Sequence, residues 1–141
     1  MEDKKVVAFL KDCYATMDFG GLSFNEESVL KTIKNSISNG GYFTTIEDEG
    51  KINGMLAVGI VPNIMDYSQM LAVEYIWHVH PGLPKKEKIK LMEELIVSGI
   101  EWAKKNKFQF RAGTNVHSPG AEKILKRNGF YEVEKLFVKE V

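Results

Sequence analysis

The chain has 141 residues, 44% hydrophobic and 27% charged, with no formal net charge. That length suits one domain, and the composition excludes wholesale disorder, while no apolar run reaches the roughly 18–20 residues of a membrane span. The charge is unevenly spread: six Lys/Arg stand against eleven Asp/Glu in residues 1–80, and thirteen against eight in residues 81–141. This division argues against a broad nucleic-acid face and permits a local anion site in the second half.

The opening MEDKKVVAFLKD lacks the basic start and long apolar stretch of a secretory signal, so a cytoplasmic location is expected. Lys4 to Met17 is predicted as a helix, because Val6, Val7, Phe9, Leu10, Cys13 and Tyr14 recur at three- and four-residue spacing. Cys13 is the single cysteine, which excludes an internal disulfide framework and any multi-cysteine zinc site. A turn follows at residues 18–22. Asn25 is the expected N-cap of a second helix, Ser28 to Ile37, which Asn39-Gly40-Gly41 ends.

Tyr42 to Glu47 and Ile52 to Val61 are predicted as a hairpin around Asp48-Glu-Gly-Lys. Pro62 to Asp66 is expected as a loop. Met70 to His80 is the strongest strand signal, rich in β-branched and aromatic residues, and Pro81-Gly-Leu-Pro stops it. Lys86 to Asn106 is the longest helix, then Phe108 to Ala112 a strand and Pro119 to Arg127 a short helix closed by Asn128-Gly129. Tyr131 to Val138 is predicted as a last strand. The fold class expected is α/β: one domain over residues 1–141, with a mixed, mostly antiparallel sheet flanked by helices.

Two segments in this order resemble the GCN5-related N-acetyltransferase (GNAT) family. One is Ala121-Glu-Lys-Ile-Leu-Lys-Arg-Asn-Gly-Phe-Tyr, similar to the family's short helix, its closing Gly-Phe pair and its last strand. The other is Val79-His-Pro after a long apolar strand, then a basic turn and a long helix ending Glu101-Trp-Ala-Lys-Lys, which resembles the fourth strand, acyl-CoA loop and central helix. The match in element order runs from about Ser28 to Val141. It departs from the family in three places. Pro84 to Met92 reads PKKEKIKLM where the loop usually carries glycines, Leu125 stands where a tyrosine often serves as general acid, and the family's first strand is missing.

The resemblance implies acetyl-CoA as acyl donor and a small-molecule or peptide amine as acceptor, with no nucleic-acid or membrane partner. Lys85, Lys86, Glu87, Lys88 and Ile89 fall at the cofactor loop and helix start. Lysines there oppose the macrodipole but add charge to unpaired N–H groups, which suits phosphates. By resemblance the backbone of His78, Val79 and His80 binds the acetyl and pantetheine arm. By resemblance Ser118 stands where the family's amide contacts the cofactor, with Asn115 three residues earlier as a second candidate, while the residues themselves read Ser118 first as a helix N-cap before Pro119. Glu74 is the expected catalytic base, as the only carboxylate in the apolar part of its strand. His78 and His80 share a strand face and could meet His117 around a metal, but no metal site is expected. The alternative to an enzyme is a non-catalytic binding or assembly module of this fold. The missing first strand would leave an open sheet edge, and a homodimer is allowed.

Overall fold

A computed structural model describes residues 1–17, 22–114 and 119–139. The chain opens with two helices, α1 (Asp3–Tyr14) and α2 (Glu26–Ser38). Three strands follow: β1 (Tyr42–Asp48), β2 (Lys51–Asn63) and β3 (Asp66–Val79). Then come α3 (Lys85–Lys105), β4 (Gln109–Arg111) and α4 (Pro119–Arg127). The sheet order is β1-β2-β3-β4, antiparallel except for the parallel β3–β4 pair.

Two apolar layers clamp the sheet. Val6, Phe9, Leu10 and Cys13 of α1 and Ile33 of α2 pack on Met55, Ala57 and Ile76 of one face. Leu95 and Ile96 of α3 and Ile124 of α4 pack on Leu56, Val58, Ala72 and Trp77 of the other. The strict alternation of Met55 to Val58 between the layers is what a strand covered on both faces requires. Gly99 sets how closely α3 approaches the sheet: a Cβ there would lie 2.8 Å from the Phe110 ring and 2.9 Å from Leu56.

Local chemistry explains the boundaries. Asn25 caps α2, its Oδ1 accepting the Ser28 N–H at 2.8 Å, as its sequence position implies. Glu49 and Gly50 carry φ of 51° and 77°, the left-handed pair that a two-residue hairpin turn needs. The expected loop at Pro62 to Asp66 is a correction. Both strands run on to Asn63 and from Asp66, leaving only Ile64 and Met65 between them. Pro62 is tolerated because the register shifts beside it.

The larger correction is at the end of the chain. Tyr131 to Val138 forms no strand: it pairs with nothing in the sheet, and Tyr131, Leu136 and Phe137 are 80%, 88% and 90% exposed. Alternation and β-branched content mark a segment that fits a pleated surface, but a strand also needs a neighbouring edge. The adjacent strand, β4, is three residues long and pairs through β3.

Gly129 closes α4 with φ 88°, and the Phe130 N–H donates to the Leu125 carbonyl at 3.0 Å. Only a residue without a Cβ takes that conformation freely. Gly129→Ala should lower unfolding free energy by roughly 1 kcal/mol or more, measured by urea titration.

Candidate functional site

β3 has partners on both sides only along part of its length. It pairs with β4 at Leu71–Gln109, Ala72–Phe110 and Val73–Arg111, and then the two strands part. At the fork stands Glu74, whose Oε1 accepts the Gly113 N–H at 3.0 Å. Half-buried, the carboxyl is pushed up to about 7 by burial, partly opposed by that hydrogen bond.

Directly after the fork β3 bulges. Val58 pairs with Glu74 but Ala57 pairs with Ile76, so Tyr75 is an extra residue. Alternation from Ala72 would have turned Ile76 and His78 toward α3. The bulge exchanges the faces, giving Trp77 to the α3–α4 layer and Ile76 to the α1 layer. Trp77 is fixed there by its indole N–H, which donates to the Met92 carbonyl at 3.0 Å.

The His80 N–H donates to the Asn53 carbonyl at 2.8 Å. In an antiparallel ladder the peptide groups of alternate residues turn to opposite edges. Those of Trp77 and Val79 therefore point away from β2, into the fork. The Val79 carbonyl accepts from the Cys13 thiol at 3.8 Å. The His80 ring is held by α1: Nδ1 accepts the Gly82 N–H at 3.1 Å, which leaves Nε2 to donate to Asp12 at 2.8 Å.

Two cavities flank this strand. One, of about 280 Å³, lies between the end of β3, α3 and α4, and the end of α1 covers it. Its lining includes His78, Val79, Lys85, Lys88 and Ile89. These are five of the ten cofactor residues expected from sequence. Lys86, Glu87 and His80 are not in that wall, and Asn115 and Ser118 lie outside the described residues. Pro84 gives α3 no side-chain cap, so the first-turn N–H groups of the helix are left for water or a ligand.

The second cavity, of about 450 Å³, lies between α1, α2 and β3. Cys13 and His78 line both cavities. Burial holds the His78 imidazole below its ordinary value, opposed by a backbone hydrogen bond at Trp77, so the ring is neutral at pH 7. Glu74 lines neither cavity. Leu125, at the position where the family often has tyrosine, is buried in the α3–α4 layer. Among the described residues no group of three His, Cys, Asp or Glu is placed to hold a metal ion, and no helix is long and apolar enough to cross a membrane.

Sequence reasoning missed the second cavity and, in the first, Cys13 near the end of α1 and Thr16 and Met17 just after it. The apolar stripe of α1 was visible, but a stripe does not say whether it meets only core or also a cleft.

No protein-family model and no curated protein matches the chain. Solved structures do. A glucosamine-6-phosphate N-acetyltransferase from Arabidopsis thaliana superposes with TM-score 0.71 at 15% identity, over 99% of this chain and 94% of the other. An aminoglycoside acetyltransferase from an uncultured soil metagenomic sample gives TM-score 0.71 at 15% identity, over 99% and 89%. A protein from Clostridium acetobutylicum described as a predicted acetyltransferase, solved with acetyl-CoA, gives TM-score 0.71 at 10% identity, over 99% and 92%. The chain has the fold of the GCN5-related N-acetyltransferases.

Ionisation of Glu74 bears on stability. With its pKa raised from 4.5 to about 7, the folded protein holds a proton that the unfolded chain has released across that window. Stability attributable to Glu74 is therefore full below pH 4.5 and is lost as pH rises to 7, by roughly 3 kcal/mol at most. Glu74→Gln keeps an acceptor for the Gly113 N–H. It should match the parent protein near pH 4.5 and exceed it in stability at pH 8, measured by denaturant titration at both pH values.

Proposed function

We propose that the protein is an N-acetyltransferase that takes acetyl-CoA in the cavity bounded by α3 and α4 and an amine in the cavity bounded by α1 and α2. The observation that carries this reading is that the two cavities adjoin at His78, on the strand that parts from its neighbour. The solved neighbours named above include acetyltransferases, one of them solved with acetyl-CoA.

The residues present fit the cofactor. Lys85 and Lys88 and the uncapped start of α3 offer charge and N–H donors to phosphates. Side-chain ammonium groups substitute by charge for part of what loop glycines give, but not for their close backbone approach. The Trp77 and Val79 N–H groups that face the fork offer donors to the pantetheine arm, and an N–H there can stabilise an oxyanion. Acetyl-CoA supplies the activated acetyl thioester.

An amine must shed a proton to attack, and two groups on β3 can accept one. His78 is the acceptor we propose, because its neutral ring borders both cavities. Glu74, the base expected from sequence, is the competing assignment, favoured by a pKa of about 7. Lining neither cavity, it would take the proton through an intervening water. With Leu125 buried, the departing thiolate takes a proton from solvent or from the protonated His78.

Calorimetric titration with acetyl-CoA tests the cofactor site. Lys85→Ala/Lys88→Ala should weaken binding about tenfold or more, the equivalent of about 1.4 kcal/mol, and salt should weaken the parent protein. Lys86→Ala should change little. An absence of acetyl-CoA binding would favour the non-catalytic module.

The base is tested by rate per folded molecule. His78→Asn should cut acetylation by about 10²–10⁴-fold at saturating acetyl-CoA, while Glu74→Gln stays close to the parent. The reverse pattern would assign the role to Glu74.

A further inference from the structure

The larger cavity has a chemistry of its own. Its apolar wall is made by Leu10, Tyr14, Phe24, Val29 and Tyr75. The polar lining is neutral: Ser23, Asn25, Ser28 and Thr32, with Asn25 and Thr32 already engaged in capping and backbone hydrogen bonds. Among the described lining residues there is no Asp, Glu, Lys or Arg. The carboxylates carried by the same helices are turned elsewhere. Asp12 holds the His80 ring, Glu26 is ion-paired with Lys11, and Glu27 is exposed outside the wall.

We infer that the acceptor is a small primary amine on an aromatic or branched apolar body, with no second charged group. The inference rests on the acetyl-transfer reading and names the substrate class for that site. A volume of about 450 Å³ takes a drug-sized guest, and the aromatic wall offers it dispersion and edge contacts. Desolvation works against any cation in such a space and shifts an entering ammonium toward the neutral amine, the form that attacks. The reacting nitrogen loses its charge in any case. Among the described lining residues a second ammonium finds no carboxylate, and it meets the start of α2, where the helix dipole is positive and Asn25 and Ser28 line the wall.

In the balanced reaction the amine nitrogen forms a C–N bond to the acetyl carbon as the C–S bond breaks. The proton from nitrogen passes to His78 and then to the thiolate, giving an acetamide and a free thiol.

The test compares 2-phenylethylamine and tryptamine with spermidine as acceptors, with acetyl-CoA affinity measured separately by calorimetry. The arylalkylamines should exceed spermidine more than tenfold in kcat/KM, and they should raise Tm in the absence of acetyl-CoA while spermidine does not. Thr32→Glu places a carboxylate in the wall at an exposed position and should narrow that ratio. Preference for spermidine would overturn the inference while leaving acetyl transfer intact. Acetyl-CoA binding with neither arylalkylamine accepted would overturn it as well. Stabilisation by arylalkylamines without any acetyl-CoA binding would instead overturn the transferase reading and leave the cavity assignment standing.

Discussion

Everything at the candidate site depends on β3 outrunning its parallel neighbour. β3 has fourteen residues and β4 three, so the ladder between them ends at Val73–Arg111. Past that point the peptide groups facing the fork have no strand among the described residues to satisfy them. Buried backbone donors and acceptors need partners. Here the Cys13 thiol serves the Val79 carbonyl and the His78 ring bonds the backbone at Trp77. A sheet closed along that edge would separate the two helical layers completely. An open one lets a ligand on the α3 side meet a ligand on the α1 side.

The bulge at Tyr75 decides which side chains take part. With one extra residue, Trp77 joins the α3–α4 layer and Ile76 the α1 layer. Removing the extra residue would turn every later side chain of the strand to the opposite face. Trp77, anchored to the Met92 carbonyl, would lose its seat, and His78 would leave the α1–α2 cavity. The bulge also stands directly after Glu74, so fork, bulge and the unusual carboxyl occupy consecutive positions.

Much of this was legible in the residues. The stripes of α1, α2 and α3, the Asn25 cap, the hairpin at Glu49-Gly50 and the Gly129 stop are local chemistry, and each element lies near its expected place. Residues selected for the cofactor fell together where the selection followed chain direction: His78 and Val79 end β3, and Lys85, Lys88 and Ile89 begin α3. Lys86 and Glu87 did not, because adjacent helical residues point to different sides. The register of β3 could not be seen, since a bulge is set by the partner strand. Tyr131 to Val138 misled for the same reason: its composition describes a strand, but pairing is a property of two segments.

Cys13 carries a consequence of a different kind. Burial, with a smaller contribution from Asp12, pushes its thiol up to about 12. At pH 7 about one molecule in 10⁵ then carries the reactive thiolate, so the closed protein is nearly inert to alkylation. The same side chain sits between both cavities and against Val79. Any opening that lifts α1 from the sheet would bare this thiol, and its labelling rate would then clock that opening. A ligand that spans the wall beside Cys13 would slow the clock, and a ligand bound elsewhere on the surface would leave it running.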